Sequence, residues 1–160
     1  MSRFANLADA GAHLMPLIGA RVADFANPCL LAVMPNGVPV AEPIADGLGL
    51  PIVAAPLDRT GDPTAGPLPD LSGRTAIVID DGVETGTAAR LIGDAARTAG
   101  AASVILAVPV CSREVRPLMD RVYDEVIVVE QPLARRDLRW HFDEFDTIDQ
   151  AEAERRLAAR

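Results

Sequence analysis

The chain has 160 residues, 49% of them hydrophobic, and a formal net charge of -8. That length suits a single domain over 1–160 with a real core, and apolar residues interleaved with polar ones exclude a disordered chain. The negative charge argues against a broad nucleic-acid or anionic-membrane surface, and because all 15 basic residues are arginine, lysine-dependent P-loop and Schiff-base chemistries are excluded.

The stretch Met1 to Asp9 carries an acid early and has no apolar run of signal length, and no window approaches 18 uninterrupted apolar residues. A cytoplasmic protein is the expectation. Five short apolar runs follow at 29–34, 51–55, 75–79, 103–108 and 125–129. None alternates polar with apolar, which predicts strands buried on both faces. After the first run, Asn36-Gly37 is a tight-turn signal and Pro39 a helix starter. Residues 56–72 are rich in Pro and Gly and lack either periodicity, so they predict a long loop, functional or disordered, with Arg59 its only cation. A helix is predicted over 85–99, with Ala88, Leu91, Ile92, Ala95, Ala96 and Ala99 on its buried face and Gly100 as its stop. Cys29 and Cys111 sit in or beside apolar runs without metal-ligand spacing, as buried reduced thiols do. His13 and His141 lack a partner pattern and read as surface residues. Arg135, Arg136 and Arg139 either face an anion or form a solvated turn. Trp140, Phe142 and Phe145 read as a cluster sealing the core or a subunit contact, with base binding the alternative. Asp149 and Glu152 have capping-box spacing and open a terminal helix with a basic end.

Alternating strands and helices predict an α/β protein: an open, mostly parallel five-stranded sheet with helices on both faces. Ligands bind such sheets beyond the carboxyl ends of the strands, which nominates the loops after Met34, Ala55, Ile79 and Val108. The strongest local chemistry follows Ile79. Two adjacent carboxylates, Asp80 and Asp81, precede a small turn and then Thr85-Gly86-Thr87 at a helix start. Helix N–H groups, threonine hydroxyls and a glycine allowing close approach suit a phosphate, and a side chain at Gly86 is expected to intrude on its space. The paired carboxylates suit a vicinal diol or a divalent cation. The bland alternative is a solvated acidic turn before a capped helix.

The run Ala76-Ile77-Val78-Ile79-Asp80-Asp81-Gly82-Val83-Glu84-Thr85-Gly86 resembles the phosphoribosyl-pyrophosphate signature of type I phosphoribosyltransferases. Arg3-Phe4-Ala5-Asn6 with Ala10-Gly11, the turn 34–41 and the stretch Trp140 to Phe145 are similar to a small bacterial subgroup of that family, so the resemblance spans nearly the whole chain. It implies a Rossmann-like type I fold and a homodimer that binds a small-molecule substrate. It also implies Mg2+-assisted transfer of a phosphoribosyl group to a nitrogen nucleophile with release of pyrophosphate. By resemblance Asp80 and Asp81 hold the ribose hydroxyls and the metal. Gly82, Val83, Glu84, Thr85, Gly86, Thr87 and Ala88 form the binding loop, the last five around the 5-phosphate. Pro35, Asn36 and Gly37 face pyrophosphate. Glu84 stands where some members carry a general base, although a carboxylate there also simply offsets the helix dipole. Arg59 is the candidate cation over the leaving group. Two departures stand out: Thr85-Gly86-Thr87-Ala88 replaces the usual Thr-Gly-x-Thr, and the 34–37 turn is one residue short and has no basic residue. Both leave open a binding or regulatory module that has lost catalysis.

Overall fold

The five apolar runs become five strands of one parallel sheet in the computed structural model, which describes residues 3–160, so Met1 and Ser2 lie outside the described residues. In chain order the elements are α1 (Leu7–Gly19), β1 (Cys29–Val33), α2 (Gly37–Leu48), β2 (Ile52–Ala55), β3 (Leu57–Asp58), β4 (Thr64–Ala65), β5 (Thr75–Ile79), α3 (Thr87–Thr98), β6 (Ser103–Val110), α4 (Arg116–Val122), β7 (Glu125–Glu130) and α5 (Gln150–Ala158). The large sheet runs β2-β1-β5-β6-β7, all neighbours parallel.

The strand period of two divides the interior into two layers. Leu30, Ala32, Ile77, Ile79, Ile105 and Ala107 face one way and pack on α1, α2 and Phe142. Leu31, Val33, Ala76, Val78, Leu106 and Val108 face the other, against α3 and α4. Each fully buried Leu or Ile among them contributes about 1.5–3 kcal/mol of transfer free energy. Burial on both faces holds for β1, β5 and β6, whereas β2 and β7 are only partly buried because they are the sheet edges.

Three expectations shift. The 56–72 stretch is not structureless: Leu57↔Ala65 and Asp58↔Thr64 pair as a short antiparallel hairpin, too short for any periodicity to register. The buried face of α3 is Ala89, Ile92, Gly93 and Ala96, one position round from the predicted stripe, because Gly93 lets Val122 and Tyr123 approach where a side chain would stand. His141 is buried, 1% exposed, in the 3-10 turn Leu138–His141, while His13 is largely exposed and its Nδ1 lies 2.8 Å from the Asp9 carbonyl. The burial of His141 follows from its neighbours: Phe4 N–H donates to the His141 carbonyl at 2.9 Å, and Phe142 is inserted in the core.

The terminal helix behaves as its sequence suggests. Asp149 accepts from Glu152 N–H at 2.8 Å, and Arg156 reaches Glu42 of α2 at 3.0 Å. Cys29 and Cys111 are buried free thiols, and burial pushes the Cys111 thiol up to about 11. Among the described residues no helix is long and apolar enough to cross a membrane.

Candidate functional site

A cavity of about 340 Å³ opens at the carboxyl edge of the sheet, lined by Pro35, Asn36, Arg59, Pro63, the run Asp80 to Ala89, and Leu138. The parallel topology explains the convergence, since β1, β2 and β5 all end on this edge.

Asp80 follows Ile79 directly, is 8% exposed, and accepts from Asp81 N–H through Oδ1 at 2.8 Å. Burial, then the neighbouring Asp81 carboxylate, pushes the Asp80 carboxyl well above the ordinary aspartate range, and burial also raises that of Asp81. The charge of Arg59, carried in on the β3–β4 hairpin, pulls both the other way. The pocket floor is therefore an acidic pair with one nearby guanidinium, a site short of positive charge.

The loop beyond is shaped by two glycines. Gly82 has φ +153, and a Cβ there would collide with Leu138. Gly86 has φ +87 and precedes α3; a Cβ there would lie 2.8 Å from Met119 Cε. The expectation for Gly86 is thus corrected: its missing side chain makes room for α4, while its backbone faces the pocket. The Thr87 N–H approaches Thr85 Oγ1 at 3.4 Å, and the Thr85 hydroxyl donates to Thr87 Oγ1 at 3.2 Å. With the first-turn N–H groups of α3, which have no intrahelical acceptor, these hydroxyls form a donor-rich rim. Val83 lines the cavity, but its N–H is taken by the Val110 carbonyl at 2.9 Å.

The turn after β1 contributes Pro35 and Asn36 to the lining, but not Gly37. A Cβ on Gly37 would lie 2.5 Å from the Ile79 carbonyl oxygen, so this glycine allows α2 to start against the end of β5. The Asn36 side chain accepts from Ile148 N–H at 2.9 Å, tying the turn to the segment before α5. Glu84 lies on the wall, and its Oε1 accepts from Leu138 N–H at 3.0 Å.

One further expectation is corrected. The loop after β6 does not line the cavity; the chain there passes behind it, where Val115, Leu118 and Met119 support Gly86. In its place stand Pro63 and Leu138, neither marked by the sequence. A lone Leu within the polar run Arg135-Arg136-Asp137-Leu138-Arg139 is the one signal that could have pointed to it. The aromatic cluster divides: Phe142 packs on Phe4 and Phe145 with ring centroids 5.6 and 5.0 Å away, whereas Trp140 is 40% exposed beneath Arg136 at 4.5 Å. Arg139 lies over Phe145, and Arg135 and Arg136 border a second cavity with Glu84 and Asp137.

Comparison with known proteins agrees with this fold. A family model described as phosphoribosyl transferase domain matches residues 5–140. Two Mycobacterium tuberculosis proteins provisionally named phosphoribosyl transferase are 37% identical over 62 residues, 39% of this chain; the match spans only 14% of their length. Among solved structures, a Thermus thermophilus protein superposes with a TM-score of 0.84 at 21% identity, covering 98% of both chains. A purine phosphoribosyltransferase from Pyrococcus horikoshii gives 0.60 at 17% identity, covering 88% of this chain and 92% of that one. At these identities the structural likenesses show the fold.

Proposed function

Because the chain belongs to the phosphoribosyl transferase domain family, we propose that it binds phosphoribosyl pyrophosphate at the β5–α3 loop and transfers the phosphoribosyl group to a nitrogen nucleophile. The observation that carries this reading is the juxtaposition, in one cavity, of an acidic pair whose first member, Asp80, is buried and a donor-rich helix start. A ligand bearing a vicinal diol and a phosphate matches both at once. Asp80 and Asp81 accept from the ribose hydroxyls. Thr85, Gly86, Thr87 and Ala88 surround the 5-phosphate through hydroxyls and N–H groups, and the Pro35-Asn36-Gly37 turn borders the pyrophosphate. Arg59, the only cation in the lining, faces the charge that develops on the departing pyrophosphate.

The residues present also fit Mg2+. Burial and the adjacent Asp81 carboxylate disfavour charge on Asp80, a cost that a bound cation would offset. A small divalent ion bound through one or two carboxylates and the substrate's own oxygens suits this donor set. Such an ion supplies neutralisation of the pyrophosphate charge. As the C1–O bond to pyrophosphate breaks, the ribose C1 develops cationic character and the entering nitrogen forms its bond there. The chain's share is to orient the sugar and stabilise the charges.

A second reading, a ribose-phosphate-binding regulatory module, is favoured by the absence of a basic residue in the Met34–Gly37 turn. Calorimetric titration with phosphoribosyl pyrophosphate and with ribose 5-phosphate, each with and without Mg2+, tests both readings when paired with a pyrophosphate-release assay against a nucleobase panel. Metal-dependent binding with turnover supports the transferase, binding without turnover the regulatory module. No binding of either ligand refutes both.

A further inference from the structure

Glu84 stands on the partition between the main cavity and its neighbour bordered by Arg135, Arg136 and Asp137. A carboxylate serving as a proton acceptor has to point at the entering nucleophile. This one is bonded to protein: Oε1 takes the N–H of Leu138, 54 positions along the chain, at 3.0 Å. The bond has a definite structural partner. Leu138 opens the 3-10 turn that ends at His141, and the first N–H groups of such a turn have no acceptor of their own. Arg139 N–H is satisfied from within by Asp137 Oδ1 at 2.9 Å, and Leu138 N–H is satisfied from across the pocket by Glu84. The same leucine packs its side chain against Gly82, whose lack of a Cβ leaves the room for it. Two contacts, one polar and one apolar, thus fasten the segment after β7 to the loop after β5.

We infer that Glu84 is a positioning residue: its carboxylate caps the Leu138 turn and thereby holds Leu138 as one wall of the ligand cavity. That wall belongs to neither β5 nor α3. The nearest main-chain ties of the segment are Arg135 N–H to Glu114 Oε2 at 3.2 Å on one side and Phe4 N–H to the His141 carbonyl at 2.9 Å on the other. Between them the Glu84 bond fixes the distance of Leu138 from the loop. What the wall contacts rests on the phosphoribosyl transfer reading, whereas the capping itself does not.

The single tryptophan, Trp140, lies two residues beyond Leu138 in the same turn and reports on its order. The experiment compares the parent, Glu84→Gln and Glu84→Ala by Trp140 emission and acrylamide quenching, by amide exchange at Leu138, and by calorimetric affinity for phosphoribosyl pyrophosphate with Mg2+. Glutamine keeps an acceptor oxygen at the same reach but cannot take up a proton at neutral pH. The expected result is rescue by Gln: Trp140 signals and Leu138 exchange like the parent, and affinity within about threefold. Ala should speed Leu138 exchange about tenfold, red-shift and expose Trp140, and weaken ligand binding severalfold. If Gln fails as fully as Ala, the charge or proton of Glu84 matters and the inference is overturned. If Ala leaves Trp140 and Leu138 unchanged, the capping has no consequence and the inference is equally overturned. A parent that does not bind phosphoribosyl pyrophosphate sinks the functional reading instead, while the tryptophan and exchange results still decide the role of Glu84.

Discussion

Replacing both Asp80 and Asp81 by Asn should move affinity and stability in opposite directions. The substitution keeps side-chain size and leaves a neutral acceptor at each position. Asp80 already spends one oxygen on the Asp81 N–H, so one bond to a ribose hydroxyl is assigned to each residue. A hydrogen bond to a charged acceptor contributes about 1.5–3 kcal/mol and a neutral one about 0.5–1.5, so each replacement loses about 1–1.5 kcal/mol. The pair then loses about 2–3 kcal/mol, roughly a 30- to 140-fold weaker complex with phosphoribosyl pyrophosphate. Stability goes the other way. Burial, with the adjacent carboxylate in the case of Asp80, raises both carboxyl groups in the folded state above the ordinary 3.8. Their contribution is therefore most favourable below the ordinary value and is lost as pH rises through the raised folded values. At pH 8 the double variant should melt above the parent, and toward pH 4 the gap should close. Calorimetric titration and thermal melts at the two pH values measure both effects. Parent-like affinity would mean that the pair does not hold the ligand, and a variant less stable than the parent at pH 8 would refute the raised carboxyl groups.

Three further outcomes follow from single side chains. Arg59→Ala should lower turnover more than ground-state affinity, because its charge faces the acidic pair from a hairpin tip and is most useful when pyrophosphate departs; steady-state kinetics beside calorimetry decide it, and equal losses remove Arg59 from the mechanism. Gly86→Val should destabilise the fold by about 1–3 kcal/mol, since it forces a Cβ against Met119 at φ +87; a melt lower by about 2–4 °C per kcal/mol is expected, and a parent-like melt refutes the packing argument. Burial holds the His141 imidazole below its ordinary 6.5, with Glu130 opposing and Arg136 and Arg3 reinforcing. Its contribution to stability is therefore present above pH 6.5 and lost as pH falls below it, so His141→Leu should gain on the parent in melts at pH 5.5 relative to pH 7.5, and a gap independent of pH rejects this.

Much of the architecture is local in origin, and it was legible in the sequence. Short apolar runs such as 75–79 and 103–108 read as strands covered on both faces, and Asp149 with Glu152 marked the start of the last helix. The acidic pair and the Thr85-Gly86-Thr87 turn were equally visible, because a strand end and a helix start are written in adjacent residues. The tertiary structure alone decided which other parts reach that loop. Sheet order β2-β1-β5-β6-β7 brings Arg59 and Asn36 to the cavity and sends the chain after β6 behind it. It likewise joins Glu84 to Leu138 and turns Gly86 toward Met119. Periodicity and caps report on the residues within one element, whereas contacts between positions dozens of residues apart depend on how strands are ordered and helices cross, which no local pattern encodes. His141 shows the same division: an isolated histidine looks like a surface residue until Phe4 and Phe142 draw its turn into the core.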